Sequence, residues 1–140
     1  MSDSTQTADD PRYLDGIRWF NQRHFFEAHE VWEDLWRDDR GPSRRFFQGL
    51  IQVAVCLHHF GHGNTRGARK LFHTSREHLD GYRPRHLGVD VERLLADLER
   101  CCAAIVASPE ETPRERLQPE LIPVLQVEPS ADELQQIAGS

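Results

Sequence analysis

His29 and Glu33 stand four residues apart, the spacing that sets two side chains one turn apart on the same side of an α-helix. A histidine beside a carboxylate is the smallest pairing that does general acid–base chemistry or holds a transition metal. Phe26 and Trp36 continue the stripe in both directions, so aromatics frame the polar pair, and Glu30 adds a carboxylate nearby. A second polar stripe, Gln48, Gln52 and His59, falls on a stretch that is otherwise apolar.

These residues support two readings. A turn near Arg40 and Gly41 sets Glu33 opposite Gln48 and His29 opposite Gln52, two rungs of a buried hydrogen-bond ladder that fixes the register of neighbouring helices. His59 falls level with Gln22, and at about 1.5 Å rise per residue it lies some 10 Å from Gln52, so one ion cannot take every polar group. The chemical reading uses His29 with Glu30 and Glu33 as acid, base or metal ligands. The pattern has neither HExxH nor the paired ExxH of di-iron bundles, and amides are poor ligands for zinc, iron or manganese. No cofactor is expected, with a divalent transition metal on His29, Glu30 and Glu33 as the alternative. No nucleophile stands out: Ser43 reads as a helix cap, Ser75 sits on a core face, and Cys56, Cys101 and Cys102 lie inside apolar runs.

A different chemistry is suggested by Arg66, Arg69, Lys70, His73 and Arg76, followed by Arg83, Arg85 and His86. Residues 62–86 hold six Lys or Arg and two acids, a +4 segment in a chain of net charge -6. An anion or a partner suits such a face; the structural reading is a solvated helix face balanced by acidic neighbours such as those of the second helix, and it is the one favoured. The overall balance of 17 basic to 23 acidic residues, with no aromatic interleaving, argues against nucleic acid.

The elements that must position these groups are helical. At 140 residues with 38% hydrophobic content, the chain has the size of one domain with its own core. Asp10-Pro11 starts a first helix with Tyr13, Leu14, Ile17 and Phe20 on its apolar side. The second helix spans 25–38 and ends at Asp39-Arg40-Gly41-Pro42. The third, 44–60, is apolar around most of its circumference and therefore central. Asn64 caps the fourth, and a fifth begins near Asp90 with Val91, Leu94, Leu95, Leu98, Cys102 and Ile105. Trp19, Trp32 and Trp36 are expected in the core. Leu14, Ile17, Phe20, Ala28 and Trp32 correspond, 40 residues on, to Ala54, Leu57, Phe60, Ala68 and Phe72, as two similar hairpins would produce. Two units are fewer than a solenoid needs.

The expected fold is all-α: a compact five-helix bundle of two helical hairpins plus a closing helix over residues 11–107. Residues 1–10 are expected to be disordered. Pro109, Pro113, Pro119, Pro123 and Pro129 make 108–140 a Pro-rich tail, docked in part through Leu121-Ile122-Pro123-Val124-Leu125, with Ser130-Ala131-Asp132-Glu133 resembling a capping box. No β pattern is visible. No apolar run is long enough to span a membrane, and the polar N-terminus lacks the features of a signal peptide, so a cytoplasmic location is expected.

Phe25-Phe26-Glu27-Ala28-His29-Glu30-Val31-Trp32-Glu33, then Phe47-Gln48-Gly49-Leu50-Ile51-Gln52-Val53-Ala54, His58-His59, Gly63-Asn64 and Gly67-Ala68-Arg69 resemble the small all-helical bacterial proteins grouped as domain-of-unknown-function family 309. The resemblance covers roughly residues 12–82. It implies the helical fold and carries no activity across. The leading functional expectation is a non-catalytic binding or scaffold module with a protein or small-molecule partner. The alternatives are a hydrolase-type enzyme using His29 with Glu30 or Glu33, and an anion- or nucleotide-binding protein centred on Arg66, Arg69, Lys70 and Arg76.

Overall fold

A computed structural model describes residues 10–107 and 116–127. Of residues 1–10, where disorder is expected, 1–9 lie outside the described residues, as does the capping box at Ser130, while Asp10 is described as the cap of the first helix.

Asp10 begins α1 (Pro11–Asn21) by accepting the Arg12 amide at 2.8 Å, and Pro11 occupies a first-turn position where an amide would have no helical partner. The chain reverses at Gln22–His24 into α2 (Phe25–Asp38), which buries Phe25, Ala28, Trp32 and Leu35. α3 (Arg44–Gly61) buries nine of its residues and packs between α2 and α4 (Thr65–Leu79), whose Asn64 side chain accepts the Gly67 amide at 2.9 Å. A single 3-10 turn, Asp80–Tyr82, leads into a connection before α5 (Val91–Ala107), which packs on α4.

The second hairpin repeats the first at an offset of 40 residues. The His24 amide donates to Trp19 O in one turn, and the Asn64 amide to His59 O in the other. The reversing residue has left-handed backbone in both, Arg23 at φ 68° and Gly63 at φ 82°. Phe20, Ala28 and Trp32 are buried in the first hairpin as Phe60, Ala68 and Phe72 are in the second. The glycine–indole contact belongs to the first alone. A Cβ on Gly16 would lie 2.0 Å from the Trp32 indole nitrogen, which donates to Tyr13 O. Cys56, at the corresponding place, donates its thiol to Ala68 O at 3.2 Å.

Three expectations are corrected. A two-residue antiparallel pairing, β1 (Arg85–His86) with β2 (Val89–Asp90), stands where no strand was expected; Leu87 and Gly88 both have positive φ, the requirement of a tight hairpin turn. Tyr13 holds that turn by donating to Leu87 O at 2.8 Å. Ser43 makes no side-chain capping bond; its hydroxyl lies 2.7 Å from His86 Nε2. Trp32 is fully buried, but Trp19 is 37% exposed. Its indole packs edge-on to His24 instead of entering the core.

Residues 116–127 cross one end of the bundle. Leu125 is buried, and the Asn21 side chain both accepts its amide (2.8 Å) and donates to its carbonyl (2.7 Å), reading one residue of backbone as a strand neighbour would.

Candidate functional site

On α2, Glu33 uses both oxygens along its own helix: Oε2 lies 2.9 Å from His29 Nε2 and Oε1 accepts from Arg37 at 2.8 Å. The cross-helix ladder is therefore not formed. Gln52 faces the other neighbour of α3, its Oε1 2.8 Å from His78 Nδ1 on α4, and Gln48 is half-buried. The register differs from the count made about Arg40 and Gly41 because α3 does not start until Arg44, and on the observed register Phe26 meets His58. Glu30 is exposed. Trp36 is half-buried under the Arg44 guanidinium, 4.0 Å from its ring centroid. His59 accepts from Asn64 at 3.4 Å, joining the second hairpin turn.

The α2 stripe has buried polar atoms that nothing in the described protein satisfies: His29 Nδ1, Trp36 Nε1 and Asp39 Oδ2. An orphaned buried donor or acceptor costs about 1–3 kcal/mol, which makes such atoms markers of a bound water, ion or ligand. Phe26 covers the His29 end of the stripe. Its ring lies 5.5 Å from His29 and 5.6 Å from His58, and 49% of it is exposed.

Beside Phe26 opens a cavity of ≈ 450 Å³ between the start of α2, the end of α3 and the crossing tail. Its apolar lining is Phe25, Phe26, Leu57, Leu117 and Ile122; its polar lining is Arg23, His24, His58 and His62 against Glu27. Burial, and then the neighbouring His62, His59 and His29, hold the His58 pKa below the usual histidine value despite the opposing pull of Glu27. The sequence reading missed this pocket because His24 stands in the first hairpin turn and His58 and His62 at the end of α3, groups brought together only by the packing of α2 on α3. The exposed Phe26 was the signal available, since an aromatic on a polar stripe is otherwise unexplained.

The other candidates are dispersed. Arg76 donates to Leu95 O at 2.9 Å and lies over the Phe72 ring, so it ties α4 to α5, and Arg69 is not free either. Arg66 and Lys70 are exposed. Cys56 and Cys102 are fully buried, 3.9 Å apart at sulfur. The Cys101 thiol is raised by its hydrogen bond to Cys102 and by burial; Cys102, lowered by Cys101, is raised on balance by Cys56 and burial. Neither is an activated nucleophile. Among the described residues no group of three or more His, Cys, Asp or Glu is placed to hold a metal ion, and no helix is long and apolar enough to cross a membrane.

The fold and site together define an all-α domain of two repeated helical hairpins, with a histidine-lined pocket where the hairpin ends meet. Residues 13–71 match the family model described as Domain of unknown function (DUF309), the family that the residue strings of α2 and α3 resemble. The chain is also 38% identical over 87 residues to the Bacillus subtilis (strain 168) protein named Uncharacterized protein YpuF, a match covering 59% of this chain and 50% of that one. The chain thus spans about half the length of that curated relative. Neither description assigns an activity.

Proposed function

We propose that the domain is a non-catalytic binding module and that the pocket beside Phe26 takes an amphipathic organic acid. The observation that carries this reading is Phe26 itself, half exposed at the mouth of a ≈ 450 Å³ cavity and touching His29 and His58. The volume is in the range of small-molecule sites, about 300–1,000 Å³, which combine apolar walls with a few polar groups. The flat body of the ligand meets Phe26, Leu57 and Ile122. Its acid meets the guanidinium of Arg23, the permanent cation among the described lining residues.

Anilinonaphthalene sulfonate, an aromatic with one acidic group, is the probe. At neutral pH it binds the wild-type chain saturably, and Phe26→Ala weakens binding about tenfold, the equivalent of roughly 1.4 kcal/mol of lost contact. Near-ultraviolet circular dichroism unchanged by the variant shows that the folded state is what binds. No saturable binding, or equal binding by Phe26→Ala, refutes the proposal.

One observation favours a second reading, hydrolase-type acid–base chemistry: the 2.9 Å His29–Glu33 pair, in which a carboxylate orients an imidazole. Hydrolysis of p-nitrophenyl acetate that is abolished by His29→Gln supports it; identical rates for the two proteins reject it.

A further inference from the structure

The last turn of α3 carries a chemistry that the ligand reading does not use. His58 and His62 are four residues apart, the spacing at which the HExxH helix presents two imidazoles to one zinc ion, although the intervening Glu of that motif is absent. Their ring centroids are 4.3 Å apart. His62 Nδ1 lies 2.8 Å from the His58 carbonyl oxygen and donates to it, leaving Nε2 as the lone-pair nitrogen. A backbone carbonyl on the far nitrogen is the usual orienting partner of a metal-bound histidine, setting its tautomer and raising its basicity. His58 is held by ring contacts with Phe26 at 5.6 Å and His59 at 5.9 Å.

We infer that His58 and His62 form an open, two-histidine site for a divalent transition-metal ion. Imidazole pairs select copper, nickel and zinc; calcium and magnesium require oxygen donors. Among the described residues no third His, Cys, Asp or Glu converges with the pair, and water or an external donor would complete the coordination. The pair shares the pocket wall with the proposed ligand, but metal binding needs the two ring nitrogens and neither Phe26 nor Arg23, so Phe26→Ala tests the ligand reading without removing the metal donors.

The test is isothermal titration of the full chain with copper, nickel and zinc chlorides in a non-chelating buffer at neutral pH. The expected result is one ion per chain, copper bound most tightly, with binding lost as the pH falls and the imidazoles take up protons. His62→Ala and His58→Ala each weaken binding about tenfold or more. His73→Ala, on an exposed position of α4, leaves it unchanged. His62 is exposed at the end of its helix, so its loss leaves the melting curve in place. No binding of any of the three ions, or one-to-one binding undiminished in both His58→Ala and His62→Ala, overturns the inference.

Discussion

Glu33 holds His29 on one side and Arg37 on the other, all three partly open to water. Exposed pairs of this kind contribute about 0–1 kcal/mol, so His29→Ala is expected to shift the thermal midpoint only slightly. Gly16 is the opposite case. An added methyl must displace the fully buried Trp32 ring, whose N–H is bonded to Tyr13 O. Gly16→Ala is therefore expected to destabilise by about 1–3 kcal/mol, outweighing a helix-propensity gain of about 1 kcal/mol. A denaturant melt separates the two variants. His86 gives a pH prediction. It is wedged against Phe46 and Tyr82 beside Ser43, and burial lowers its pKa from the ordinary 6.5. The native state thus prefers the neutral ring, and the unfolded chain binds the proton first. Its contribution is complete above the ordinary value and is lost as the pH falls through the lowered one. His86→Asn should flatten the decline of the thermal midpoint on the acid side; an unaltered slope would show that other groups cause it.

Among the elements, the two hairpin turns form an internal comparison. Arg23 holds a left-handed conformation that Gly63 adopts in the other repeat. That backbone costs a non-glycine residue about 1–2 kcal/mol, against about 0.5–1 kcal/mol of extra chain entropy for glycine. Arg23→Gly is expected to be neutral to stabilising in a urea melt, even though it gives up the exposed bond to Pro119 O. The tail rests on another local device, the paired bonds from Asn21 to Leu125. Asn21→Ala should speed exchange of the Leu125 amide while amides in the middle of α3 keep their protection. The helices were legible because caps and apolar periods are local: Asp10, Asn64 and the α5 stripe act within a turn or two of themselves. Ser43 misled because its partner, His86, is 43 residues away. Gln52 misled because α3 has neighbours on two sides and the sequence does not say which one a glutamine faces.

At the scale of the molecule, a duplicated hairpin explains both the core and the site. Stacking the repeats buries Phe20, Trp32, Phe60 and Phe72 and brings the start of α2 beside the end of α3, where Phe26 meets His58. The offset of 40 residues was visible in the sequence; the juxtaposition of the hairpin ends was not, because it depends on how far the α2–α3 turn displaces the register. The His29–Glu33 pair was correctly placed on one face, but its partners were sought across the helix pair when they lay along the same helix. The tail then closes the pocket with Leu117 and Ile122, residues from outside the repeats. The central claim, that this junction is a binding site, is tested most directly by amide chemical-shift mapping of the ¹⁵N-labelled chain titrated with anilinonaphthalene sulfonate. The account predicts saturable shifts concentrated at Phe26, Leu57, His58, Gly61, Leu117 and Ile122. Shifts centred on Arg66 and Lys70 of α4, with the junction silent, would contradict it.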